Sequence, residues 1–162
     1  MSLPRAHATT HDHHPDATVT LSYEARFLRR RTLETDQGER FLVDLAQTTS
    51  LGAGDAFVLD DGRKVGVVAA PEALIEVTGG DLVRLAWHIG NRHTPAQIEP
   101  ARILIQHDHV MADMLARLGA SVRDVTEPFT PEGGAYGHGR THGHDHGASH
   151  GPESHHHHDH DH

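Results

Sequence analysis

Apolar residues recur along this chain with two different periods, and the change from one to the other divides it. Between residues 17 and 71 they come in short runs of strand length: Val19-Thr20-Leu21, Phe41-Leu42-Val43-Asp44-Leu45, Ala56-Phe57-Val58-Leu59 and Lys64-Val65-Gly66-Val67-Val68. Such runs, rich in Val, Leu and Phe and bounded by turn residues, predict a small β domain. Asp60-Asp61-Gly62 separates the last two, and a glycine free to take positive φ there predicts a hairpin. Leu51-Gly52-Ala53-Gly54-Asp55 punctuates the preceding loop in the same way.

Beyond Pro71 strand and helix patterns alternate. Leu74-Ile75-Glu76-Val77 reads as a strand. A helix is predicted over 81–89, with Leu82, Leu85, Ala86 and Ile89 on one face. Gly79-Gly80 precedes it and Gly90-Asn91 is the predicted stop, since both residue types tolerate the left-handed conformation that ends helices. Two strands follow at 96–99 and 102–106, separated by Pro100. A second helix over 110–118 shows Met111, Met114, Leu115 and Leu118 as its apolar stripe, Gly119 as its stop and Asp108 as its N-terminal cap. A last strand covers 121–125. The order βαββαβ predicts a ferredoxin-like split sandwich, and the fold class is α+β.

Both ends lack large apolar groups. Residues 1–16, which include His7, His11, His13 and His14, are predicted to be a disordered arm, because they bury too little surface to offset the entropy of ordering. Residues 138–162 are of low complexity and are expected to be a disordered tail. The division is therefore an arm over 1–16, a β-rich domain over 17–71, a ferredoxin-like domain over 72–137 and a tail over 138–162. The hydrophobic share of 36% is depressed by the two ends, so the middle should fold normally.

Charge and composition exclude several functions. A formal charge of −9 argues against nucleic acid, whose binding relies on clustered Lys and Arg. The absence of cysteine removes disulfides, thiolate metal sites and cysteine nucleophiles. No signal-peptide pattern and no run of about 18 apolar residues is present, so a soluble, cytoplasmic protein without membrane attachment is expected. No phosphate-binding glycine loop, nucleophile elbow or zinc-protease helix occurs, and an enzyme is not expected.

What the chain does offer is imidazole. Eleven of the last 25 residues are histidine: His138, His142, His144, His146, His150, His155, His156, His157, His158, His160 and His162. Neutral imidazole suits nickel, zinc, copper and cobalt, so the tail predicts divalent transition-metal binding while leaving the metal open. An appended purification tag would be one uninterrupted block, whereas these histidines are interspersed with Gly and Asp. A second cluster lies in the folded part: His88 and His93 at the end of the first helix, and His107 and His109 where the second begins. An extended backbone puts His107 and His109 on one side, while a helix start splays them. His93 follows a helix stop and precedes Thr94-Pro95, so it should be exposed on a rigid turn. A two-fold axis beside it would bring two copies of the same ligand together, which motivates a homodimer. Arg29-Arg30-Arg31 reads as a solvated strand face, and Met111 and Met114 as core.

The string Trp87-His88-Ile89-Gly90-Asn91-Arg92-His93 with Thr94-Pro95-Ala96-Gln97-Ile98 resembles the metal-site segment of the UreE family of urease accessory proteins. So do His107-Asp108-His109-Val110 with Met114-Leu115, and the stretch 128–136; together they span most of residues 85–137. The resemblance implies a cytoplasmic nickel metallochaperone that delivers Ni²⁺ for assembly of the urease centre. It implies work with the GTPase UreG and with the urease apoprotein–UreD–UreF complex. It further implies a β-rich peptide-binding domain, a dimer formed through the metal domain, and an interfacial ion held by His93 of each protomer. His107 and His109 would be secondary ligands, His88 a further one, and the tail a reservoir. The histidine-bearing N-terminal arm departs from the family pattern. A storage or detoxification protein relying on the tail is the alternative; a hydrolase using His107 and His109 would need an acid or base that no motif supplies.

Overall fold

The computed structural model describes residues 2–133. The predicted tail over 138–162 lies outside the described residues.

The N-terminal half is one six-stranded sheet built from β1 (Arg5–His11), β2 (Ala17–Leu21), β3 (Phe27–Glu34), β4 (Arg40–Ser50), β5 (Asp55–Leu59) and β6 (Lys64–Ala69). The strand order is β2-β6-β5-β1-β4-β3. Alternate side chains of these strands, among them Val19, Leu33, Phe41, Val43, Phe57 and Val65, form one buried cluster. The β5–β6 hairpin forms as expected, with Gly62 at φ 90° in its turn. The β3–β4 turn reaches across to the opposite edge: Asp36 accepts from the hydroxyls of Thr18 (2.7 Å) and Thr20 (3.0 Å) on β2. Arg29, Arg30 and Arg31 are exposed on edge strand β3, the predicted solvated face.

The expected disordered arm is corrected here. Residues 5–11 form β1, an interior strand paired in parallel with β4 and antiparallel with β5. Neighbours on both sides satisfy its backbone, and only Ala6, fully buried, has to face the core. A strand secured by two ladders does not need the large apolar groups whose absence suggested disorder.

The C-terminal half runs β7 (Pro71–Thr78), α1 (Leu82–Asn91), β8 (Ala96–Ile98), β9 (Ile103–Gln106), α2 (His109–Arg117) and β10 (Ser121–Pro128). Its sheet has the order β10-β7-β9-β8 with every pairing antiparallel, which is the ferredoxin-like topology. Both helices cover one face: Leu85, Ile89, Met111 and Leu115 pack on Ile75, Val77, Ile103 and Ile105. Asp108 caps α2 as expected, accepting from the backbone N–H of Val110 at 2.9 Å and of Met111 at 3.2 Å.

The opposite face of this sheet meets the N-terminal domain. Leu74, Leu104 and Phe129 form a small buried cluster against Tyr23, whose ring stands edge-on to Phe129 at 5.4 Å. Beside them Arg26, in a 3-10 turn over Glu24–Arg26, is 1% exposed. It donates to the carbonyls of Ser22 and Phe129 and lies 3.8 Å from the Glu72 carboxylate, which also accepts from the Tyr23 N–H at 2.7 Å. Removing either side of this clamp leaves polar groups buried without partners. Arg26→Ala is therefore expected to lower stability by about 3 kcal/mol, and Phe129→Ala by about 3–5 kcal/mol. Urea unfolding followed by circular dichroism checks both.

On the same sheet face, Arg102 makes two short hydrogen bonds to Glu127 and one to Glu76, which also meets Arg123 at 3.0 Å. The hydrogen bonds from Arg102 hold both carboxyls below their usual value of 4.5. Because the folded pKa lies below the unfolded one, this contribution is complete above about pH 4.5 and fades as pH falls further. Arg102→Met should flatten the acid limb of stability, read as a smaller drop in urea midpoint between about pH 6 and 3.

Candidate metal centre

The C-terminal end of α1 shapes the site. Gly90 and Asn91 are part of the helix rather than its stop, and the left-handed residue is His93, at φ 56°. The His93 N–H donates to the Gly90 carbonyl at 2.9 Å, and the Thr94 N–H to the Ile89 carbonyl at 3.3 Å. These two bonds form a Schellman motif with His93 in the position that glycine usually fills. Left-handed backbone costs an L-residue about 1–2 kcal/mol. The imidazole is thus held on a turn whose backbone is fixed from both sides, and Thr94 Oγ1 reaches the Met111 sulfur at 3.8 Å, tying the turn to α2.

His93 and His107 line one polar cavity of about 440 Å³, together with Arg92, Asp108 and, from the N-terminal domain, Glu24. His107 follows β9 directly; its N–H bonds the Ala73 carbonyl at 3.3 Å and its Nε2 is 3.7 Å from Asp124. The helix start does splay the pair: His109 lines a separate cavity of about 410 Å³ with Arg92, Val110, Asp113, Met114, Arg117 and Leu118. His88 lines neither of these cavities; it is half-buried, edge-on to Trp87 at 5.1 Å. Of the four histidines singled out in the folded part, the structure brings two together. The eleven tail histidines lie outside the described residues.

Among the described residues no three His, Asp or Glu side chains are close enough to share an ion. Asp108 is occupied in capping α2. At this cavity, among the described residues, one chain presents two exposed imidazoles, fewer donors than close a metal site. Glu24 and Arg92 were not anticipated. Arg92 could have been suspected from its place beside His93, but Glu24 arrives only through the docking of the two domains.

Residues 2–70 match the N-terminal domain of the UreE urease accessory protein family, and residues 72–162 match its C-terminal domain. The chain belongs to the UreE urease accessory protein family. Urease accessory protein UreE of Ruegeria pomeroyi is 67% identical over 133 residues, covering 82% of this chain and 89% of that protein. The protein of the same name from Ruegeria sp. is 58% identical over 146 residues, 87% of this chain and 83% of its own. That of Cereibacter sphaeroides is 61% identical over 123 residues, 76% and 67% respectively. The names of these relatives describe proteins accessory to urease, and the family is one of accessory proteins rather than of enzymes. Among the described residues no helix is long and apolar enough to cross a membrane.

In this UreE chain the geometry at His93 can be tested apart from any metal. His93→Gly should retain full stability, because glycine adopts positive φ without strain and offsets its own entropic cost. His93→Val should lose about 1–2 kcal/mol, since a β-branched residue fits that backbone worst. Equal urea midpoints for the two variants would show that the left-handed turn is not maintained.

Proposed function

We propose that this chain is a nickel metallochaperone, which binds Ni²⁺ through histidine and delivers it for assembly of the urease metallocentre. The observation that carries the reading is His93: an exposed imidazole kept on a strained, hydrogen-bonded turn beside His107, with too few ligands around it to close a site. A permanent structural site would be expected to close its coordination within the fold; a delivery site benefits from positions that a receiving protein can enter. Membership of a family named for its accessory role to urease supports nickel as the cargo in this reading. Zn²⁺, Cu²⁺ or Co²⁺ would compete for the same nitrogen ligands.

A homodimer supplies the second His93. The outer surface of the helix layer exposes Val83 (82%), Trp87 (63%), Val110 (53%) and Leu118 (43%), an apolar surface on the same layer as His93 and His109. Burying it against an identical surface would remove this apolar area from water and set two His93 rings near the axis. His107, and more peripherally His109 and His88, serve as secondary ligands. The tail histidines raise the local concentration of imidazole and pass captured ions inward. The receiving partners in this reading are the GTPase UreG and the urease apoprotein with UreD and UreF, in the cytoplasm.

Storage is the competing reading, and the number of histidines after residue 137 favours it. The two separate by genetics at limiting nickel. His93→Ala should cut urease activation about tenfold or more, one ligand mattering at least as much as an outer-shell partner. Truncation after Gly137 should mainly reduce the number of ions bound per chain. If His93→Ala activates urease normally and truncation abolishes metal tolerance, storage replaces delivery.

A further inference from the structure

The first strand carries imidazoles that the His93 reading leaves unused. His7 and His11 are both exposed on β1. His11 Nδ1 lies 2.6 Å from Asp55 Oδ1, and His7 Nδ1 lies 3.1 Å from the Asp44 carbonyl. An ionised carboxylate or a carbonyl can only accept, so each Nδ1 carries its proton and, in the neutral ring, Nε2 keeps a lone pair. The His11 side chain is 82% exposed, which leaves that lone pair facing solvent.

Asp55 is well placed to hold the ring. It is the cross-strand partner of His11 in the β1–β5 ladder, and its other oxygen accepts from the Gly52 N–H at 2.7 Å. A carboxylate on one imidazole nitrogen with the other nitrogen open is the outer-shell arrangement that orients metal-ligating histidines. A second imidazole follows at once: His13 is exposed in the bend after β1. Asp12 fixes that bend, accepting from the His14 N–H at 2.7 Å and pairing with Lys64 at 3.2 Å. Residues two apart lie at most about 7 Å from each other along the chain, within the joint reach of two imidazoles.

The geometry points to a second divalent-cation site at the end of β1, in which His11 Nε2 and the His13 ring bind a borderline ion such as Ni²⁺ or Zn²⁺, with Asp55 as the positioning residue. Among the described residues no third ligand stands close enough to complete it, so water fills the remaining positions and the ion exchanges readily. This site is in the domain that does not hold His93, and it stands independently of the delivery reading.

Zinc, being diamagnetic, reads the site directly in the full chain through long-range ¹H–¹⁵N correlations of the imidazole rings. The His11 and His13 ring nitrogens should shift together during a titration with Zn²⁺ alone. Asp55→Asn should raise the zinc concentration needed for the His11 response about tenfold and shift the ring toward the other tautomer, with the β1–β5 amide signals in place. Should that variant disturb the ladder, His11→Gln serves instead, and should weaken the His13 response by a similar factor. Unchanged His11 ring signals at zinc saturation, or a His13 response indifferent to His11→Gln, would overturn the site. Either failure leaves the role of His93 untouched, because the signals read are those of β1.

Discussion

An arginine buried to 1% sets the relation between the two halves of this protein. The charge on Arg26 cannot be left without partners in the interior, and those partners include the Phe129 carbonyl and Glu72, both beyond the domain boundary. Tyr23 and Phe129 seal the contact from one side, and Leu74 and Leu104 supply its apolar floor. Because Arg26 ends the short 3-10 turn that begins at Glu24, anchoring one anchors the other. Glu24 consequently joins the lining of the cavity that holds His93 and His107. Domain docking and site composition follow from the same buried cation.

At His93 two requirements compete. The Schellman geometry at the end of α1 favours glycine, whereas the proposed metal binding needs an imidazole. The chain keeps the imidazole and accepts about 1–2 kcal/mol of backbone strain, a cost that the surrounding hydrogen bonds and helix packing can sustain. In return the ring projects from a backbone whose own freedom is already spent. In the proposed reading, that fixed backbone is what lets His93 present an ion to a receiving protein.

Much of this was legible in the sequence. The βαββαβ order, the Asp60-Asp61-Gly62 hairpin and the Asp108 cap could all be read locally, because period, turn chemistry and capping depend on residues near one another. For His107 and His109 the spacing allowed two arrangements, and the two side chains line different cavities. What escaped depended on distant partners. β1 lacks large apolar groups and is ordered by ladders to β4 and β5, strands some 40–50 residues away. Neither Arg26 nor Glu24 belongs to any local pattern in the sequence. The helix end was misread by two residues: Gly90-Asn91 was the stronger local stop, but the helix continued and the left-handed turn fell on His93.

In both metal sites proposed above, what matters is the surroundings of each imidazole. An imidazole in isolation is the same ligand on β1, after α1 or in a low-complexity stretch. What distinguishes them is what fixes the backbone and what holds the nitrogen that faces the protein. His11 has a carboxylate on Nδ1 and a ladder beneath it; His93 has a capped helix and a shared cavity with His107. Both are poised singly or in pairs, below the four ligands that close a structural zinc-type site. Incomplete coordination keeps ligand exchange accessible, because an incoming donor can bind before an outgoing one leaves. If the chain delivers an ion, as proposed above, holding fewer ligands in better positions serves transfer more directly than adding further histidines.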